Sequence, residues 1–463
     1  MNIRIRYPLI AAAVLLIPWS AGTLWSAASA ECKDCNVILI SLDTLRADAL
    51  GAYGSDFGSS PSIDRAAKKG FVFLNAFSPV PSTIPSHMSV FSGLYPSRHG
   101  VLHAWMPGKM RSPHPTLAEI LSDLGYRTAW VWVAPFPSED PMVEIRHVGF
   151  GRGFETFINE AVSQGTGTLT AFSWLEKNAS EPFFLFLHNY RMHDPYAPSR
   201  RSMRLFFNKL HRKKYMTSED LNQKLSEAIE RDPSLVFSTR TASGVMMRYH
   251  RLYALRDREM FWRQFNLRDP MQQEDLKTLY AANLRDVDEW FAGLIRKLED
   301  LKILDKTILV LMSDHGEEFW EHGRFSHSQL YVETLHVPLI FIFPKGRGRS
   351  IPDVVSGVDI YPTILEILGI GIPETVQGMS LKTLMEGGAY PEERFVFGDH
   401  GARSSYSVRD AARAYIVDRS EGFVERYYDR VNDPGETRDL IEANEAVSIK
   451  KYRRILKSFL EGR

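Results

Sequence analysis

The chain has 463 residues, 44% of them hydrophobic and 24% charged, which are the proportions of a folded, water-facing protein and exclude a disordered or fibrous one. That length is too great for one small core, so one large domain and a smaller one are expected. Lys plus Arg equal Asp plus Glu at 56 each, a formal net charge of zero, so no global field argues for nucleic acid or an anionic membrane as partner.

Residues 1–30 read as a signal peptide. Arg4 and Arg6 give a basic start, Leu9 to Trp19 an apolar core broken only by Pro18, and Ala28-Ser29-Ala30 a small-residue cleavage signal before Glu31. The apolar run is short for a membrane span. The protein is therefore expected to be exported, to the periplasm or beyond, with membrane contact only if this segment stays uncleaved. The two cysteines, Cys32 and Cys35, follow at once, in what reads as a tail. In an oxidising compartment they either close a minor bridge or remain free thiols.

Asn36 to Ser41 is a nearly continuous apolar run that ends beside Asp43. Phe183 to Leu187 repeats the pattern and ends in His188, and Thr307 to Met312 repeats it before Ser313-Asp314-His315-Gly316. Such runs read as buried parallel strands, and ligands of open α/β sheets gather at the C-terminal strand ends. Strand and helix alternate through most of the chain. The expected fold is therefore α/β, with a large, mostly parallel central sheet sandwiched by helices.

From residue 200 to 280 the pattern changes to basic residues and a long polar stretch, read as a helical insertion near the mouth of the site. For any one of these charges a solvated helix face is an equal reading. A helix from Leu284 to Leu301 then leads into the third strand. The catalytic domain is drawn as residues 31–375, and residues 376–463 as a small C-terminal α+β subdomain. In the subdomain Tyr406 to Val417 and Gly422 to Tyr428 read as short strands, and Ser448 to Leu460 as a closing helix.

Asp43, Asp314 and His315 put two carboxylates and an imidazole on two strand ends. If those strands are neighbours, the three form one divalent-metal site. The competing reading of Asp314 is a helix N-cap. Thr83 precedes Ile84-Pro85 at an expected helix start, where unpaired N–H groups favour an anion. Ser82 or Thr83 could instead merely cap that helix. His87, His188, His193 and His327 are candidates to hold the anion or move a proton. Arg98 is a further candidate for substrate binding. His99 and His103 read as structural.

Ser82-Thr83-Ile84-Pro85-Ser86-His87, followed by Ser92-Gly93, resembles the nucleophile motif of the sulfatases, Cys/Ser-x-Pro-Ser-Arg with a following Thr-Gly. Leu42-Asp43-Thr44-Leu45-Arg46, Ser313-Asp314-His315-Gly316-Glu317, Val337-Pro338-Leu339-Ile340 and Asp433-Pro434-Gly435-Glu436 resemble further family segments in the family's order. The chain is thus identified as a member of the sulfatase family within the alkaline phosphatase superfamily. The resemblance implies a metal-dependent hydrolase that cleaves a sulfate or phosphate ester, an anionic substrate, through metal-bound Thr83. It matches Asp43, Asp314 and His315 to metal ligands, His188 to a substrate-binding His and, more loosely, His327 to the place of a Lys. One divalent cation is implied, calcium first by family, with zinc, manganese and magnesium also admitted. Thr83 stands where the family has its oxidisable Cys or Ser, His87 where it has Arg, and Thr44 where it has a second Asp. Two other functions fit the same pattern: a phospho-group transferase with a Thr nucleophile acting on envelope acceptors, and a non-catalytic sulfatase-like binder.

Overall fold

Alternation along the first apolar strand already shows a sheet covered on both sides. Val37 and Leu39 enter one hydrophobic core, while Ile38, Ile40 and Leu42 enter another. The structure, a computed structural model, describes residues 30–462 apart from 103–109, 111–113, 135–148, 162–168, 213–214, 232–235, 241–245, 251–260, 345, 347, 391, 421 and 444–445. The expected signal peptide lies almost wholly outside the described residues. Among those described, no helix is long and apolar enough to cross a membrane.

In chain order the strands are β1 (Asn36–Leu42), β2 (Phe71–Phe77), β3 (Arg127–Ala134), β4 (Thr156–Ala161) and β5 (Phe183–Asn189). Next come the short pair β6 (Val236–Arg240) and β7 (Met246–His250), then β8 (Thr307–Met312). A small ribbon, β9 (Glu318–Phe319) with β10 (Phe325–Ser326), precedes β11 (Leu339–Ile342) and β12 (Arg349–Ser356). β13 (Val396–His400), β14 (Ser405–Arg409), β15 (Arg413–Asp418) and β16 (Val424–Asp429) complete the set.

Eight strands form the central sheet in the order β12-β2-β11-β8-β1-β5-β3-β4. Only β11 runs against its neighbours, so the sheet is mostly parallel, as expected. β1 lies between β5 and β8, with Ser41 opposite both His188 and Met312. This register brings three polar strand ends to one edge of the sheet. A one-residue slip would misalign the site, and each buried Val, Ile or Leu that holds the register contributes about 1.5–3 kcal/mol.

The insertion departs from its reading. It holds helices at Arg200–Phe206 and Ser218–Arg231, but also the β6–β7 ribbon, where β-prone Val, Phe and Thr gather. Its last part does not end before a separate helix at Leu284. One helix of 31 residues runs from Pro270 to Asp300, with Asp269 accepting from Met271 N at its start. No Pro or Gly interrupts residues 271–292, so nothing stops the helix there.

The C-terminal part forms an antiparallel four-stranded sheet, β13 to β16, with a helix at Ala446–Glu461. Tyr406 to Val417 is a hairpin, not one strand: Asp410 Oδ1 accepts from Ala412 N and Arg413 N and turns the chain. Ile449, Tyr452 and Leu456, at helical spacing, pack on one face of this sheet. Ile416 and Tyr428 on the other face pack against Leu330 and Leu335. Cys32 and Cys35 are joined as a disulfide. The pair is not in a loose tail: Cys35 is buried, and Cys32 N donates to Ile367 O at 2.9 Å.

Candidate active site

The ends of β1, β5 and β8 bring Asp43, His188, Asp314 and His315 together. All four are buried, three of them completely. His188 Nε2 lies 2.9 Å from Asp43 Oδ2. The two Asp loops are stitched by backbone donors: Thr44 N reaches Asp314 Oδ1 at 3.2 Å and Leu45 N reaches Ser313 Oγ at 2.9 Å. No helix follows Asp314, so the N-cap reading of that residue falls away. Gly316 is required here, because a Cβ would stand 2.0 Å from Glu333 O.

Thr83 is the first residue of a helix that runs to Ser92. Ser82 occupies the N-cap position, yet its side chain caps nothing. Thr83 Oγ1 instead lies 3.3 Å from His315 Nε2. His315 Nδ1 lies 3.0 Å from Gly316 O and donates to it, which leaves Nε2 directed at Thr83. The hydroxyls of Ser78, in the segment before the helix, and Ser86, on it, both donate to Asp314 O and fix this region against the β8 loop.

The histidines divide by depth. His87 is fully buried, 2.7 Å from Ser41 Oγ, and its ring packs 4.5 Å from that of His188. Burial, then the neighbouring His188, pushes its pKa down to about 3, so it stands neutral behind the site. His327 stands toward the outside, with its ring 4.3 Å from His315 and 5.1 Å from His193. Burial, then His315 and His193, holds it well below the usual histidine range. His193 behaves oppositely. Burial opposes its charge, but Asp194 at 2.7 Å outweighs that and lifts it to about 9. It keeps its proton at neutral pH.

Three residues near the site carried no functional reading from sequence. Glu317 contacts His327 at 3.2 Å and is pushed up to about 7 by burial and then by Asp194. Asp194 sets the charge of His193, and Ser41 holds His87. Glu317 adjoins Asp314-His315-Gly316 and Asp194 adjoins His193, so adjacency was the available signal. One candidate stays apart: Arg98 is exposed on a short helix, Pro96–His99, with no hydrogen bond or ion pair to the cluster. His99 is buried and bonded to Ser89 Oγ at 3.0 Å, a structural role as read. His103 lies outside the described residues.

A divalent cation fits these residues. Asp43, Asp314 and His315 offer ligand atoms within 4.8 Å of one another, and His87, His188 and Asp314 form an overlapping group. Asp43 Oδ1 and Asp314 Oδ2 are buried with no hydrogen-bond partner. Two such carboxylate oxygens side by side are costly unless a positive charge joins them. Thr44 adds no carboxylate. Its backbone sits at φ 56°, unusual for a β-branched residue, and that turn aims its N–H at Asp314.

A protein-family model described as Sulfatase matches residues 35–370, and one described as N-sulphoglucosamine sulphohydrolase, C-terminal, matches residues 320–460. The chain is 25% identical over 484 residues to an arylsulfatase of Clostridium perfringens, covering 92% of this chain and 95% of the relative. It is 25% identical over 422 residues to an N-acetylglucosamine-6-O-sulfatase of Bacteroides thetaiotaomicron, covering 80% and 75%. A protein solved in complex with its substrate D-glucosamine-2-N,6-O-disulfate shares the fold, with a TM-score of 0.70 at 22% identity over 93% of this chain and 98% of that one.

Proposed function

The chain belongs to the sulfatase family, with its alkaline phosphatase-like fold, and is a sulfate ester hydrolase; from that premise we propose that Thr83 is its unmodified nucleophile and that it acts outside the cytosol on a ring-bearing sulfate ester. The observation that carries this is the Thr83 hydroxyl at the helix start, 3.3 Å from His315, which itself groups with Asp43 and Asp314.

Asp43, Asp314 and His315 would hold one divalent cation, which supplies charge neutralisation for an anionic substrate in a site lined with carboxylates. Thr83 would attack sulfur, its proton passing to an imidazole of the cluster. The first backbone N–H groups of the helix would face the sulfate oxygens and stabilise their charge. As the bond from sulfur to the leaving oxygen breaks, His193, already protonated, would donate a proton to that oxygen. Water would then cleave the sulfate from Thr83 and restore the hydroxyl. The names of the two curated relatives support an aryl or amino-sugar ester. The Cys32–Cys35 bridge supports export.

The test is sulfate release from 4-nitrophenyl sulfate and N-acetylglucosamine-6-sulfate by the purified chain, with added calcium, magnesium, manganese or zinc. Release that disappears in Thr83→Ala supports the reading. Full release by Thr83→Ala would show that Thr83 is not the nucleophile.

A further inference from the structure

Trp262, from the insertion, and Phe325, on β10, form an aromatic pair with ring centroids 4.8 Å apart. Phe325 is 42% exposed, and Trp262, whose ring packs against the edge of one hydrophobic core, is only partly buried. Two independent routes tie it to the site. Through side chains, Trp262 Nε1–H donates to Asp194 Oδ2 at 2.6 Å, and Asp194 Oδ1 pairs with His193 at 2.7 Å. Along the backbone, Phe325 is followed after Ser326 by His327, whose ring lies 5.1 Å from that of His193. Phe325, Trp262, Asp194, His193 and His327 thus close a loop of contacts, which fixes the aromatic pair at the border of the histidine cluster.

We propose that Trp262 and Phe325 form the subsite for the leaving group, and that this group is a ring with a flat apolar face, aryl or pyranose. The inference rests on the hydrolase reading above. If His193 protonates the departing oxygen, the group attached to that oxygen lies beside His193 and away from Thr83. The surface on offer there is the Trp262–Phe325 pair. The bond from Trp262 to Asp194 fixes the indole in advance, so little side-chain freedom is lost when a ring stacks on the pair. Aromatic faces favour flat rings over flexible chains.

The test compares 4-nitrophenyl sulfate, N-acetylglucosamine-6-sulfate and butyl sulfate on the full chain. Phe325→Leu keeps an apolar side chain at an exposed position but removes the ring, and an unchanged melting temperature checks the fold. KM for a ring ester is expected to rise about three- to tenfold with kcat within about twofold and butyl sulfate unaffected. Phe325→Tyr should recover the loss. A rise with only one ring ester supports the subsite and names its ring. No change, or an equal change with all three esters, overturns it. If the wild-type chain releases no sulfate, the hydrolase reading fails, and calorimetric binding of 4-nitrophenyl sulfate to Thr83→Ala decides the subsite instead. Binding weakened by adding Phe325→Leu supports it. Equal affinity, or no binding, overturns it.

Discussion

The backbone N–H of Thr44 donates to Asp314 Oδ1 at 3.2 Å across 270 residues of sequence. That bond spends one oxygen of Asp314 on holding two loops together, and the other, Oδ2, is left buried without a hydrogen-bond partner beside Asp43. A structural and a chemical role thus share one carboxylate.

Cation binding should therefore appear as stability. A divalent cation at one hundred times its Kd is expected to stabilise the fold by about 2.7 kcal/mol. Melting temperature measured with and without calcium, zinc, manganese or magnesium checks this. Asp314→Asn should abolish the increase. A melting temperature indifferent to every cation would remove the metal from this account.

Thr83→Ala is expected to abolish turnover while leaving the fold intact. The residue caps no helix through its side chain as placed, so the stability cost should stay below about 1 kcal/mol. Thr83→Ser retains a hydroxyl and should retain activity. Mass spectrometry after brief exposure to substrate should find sulfate on Thr83 in the wild type and none in the alanine variant.

His193 should set an alkaline limit. Its folded-state pKa, about 9, lies above the ordinary 6.5. The charged pair with Asp194 thus contributes its stability in full below pH 6.5 and loses it as pH rises through about 9. The contribution is at most on the order of 3 kcal/mol. The gap in melting temperature between wild type and His193→Gln should narrow from neutral pH to above pH 9. Activity should fall over the same range as the leaving oxygen loses its proton donor.

Arg409 and Glu436 form a buried pair at 2.9 Å, and Arg409 also donates to Leu330 O, three residues after His327. Arg409→Ala strands the Glu436 carboxylate and should cost about 3–5 kcal/mol. Replacing both residues by apolar ones should cost less than Arg409→Ala alone. Urea unfolding of the three variants measures the difference.

The sequence by itself was enough for the central strands, the carboxylates and histidines at their ends, and the helix beginning at Thr83. These follow from local patterns: apolar runs that must be buried, and a Pro near a helix start. The nucleophile motif was likewise legible as a resemblance. Which atoms meet was not, because that depends on sheet order and register between segments hundreds of residues apart. Only the placement of β1 between β5 and β8 joined Asp43 to His188 and to Asp314. Only packing separated the histidines, since His87 is held neutral by burial while His193 keeps its charge beside Asp194. Arg98 fell outside the cluster for the same reason: a charge reads alike in sequence whether its helix turns it toward a site or toward water.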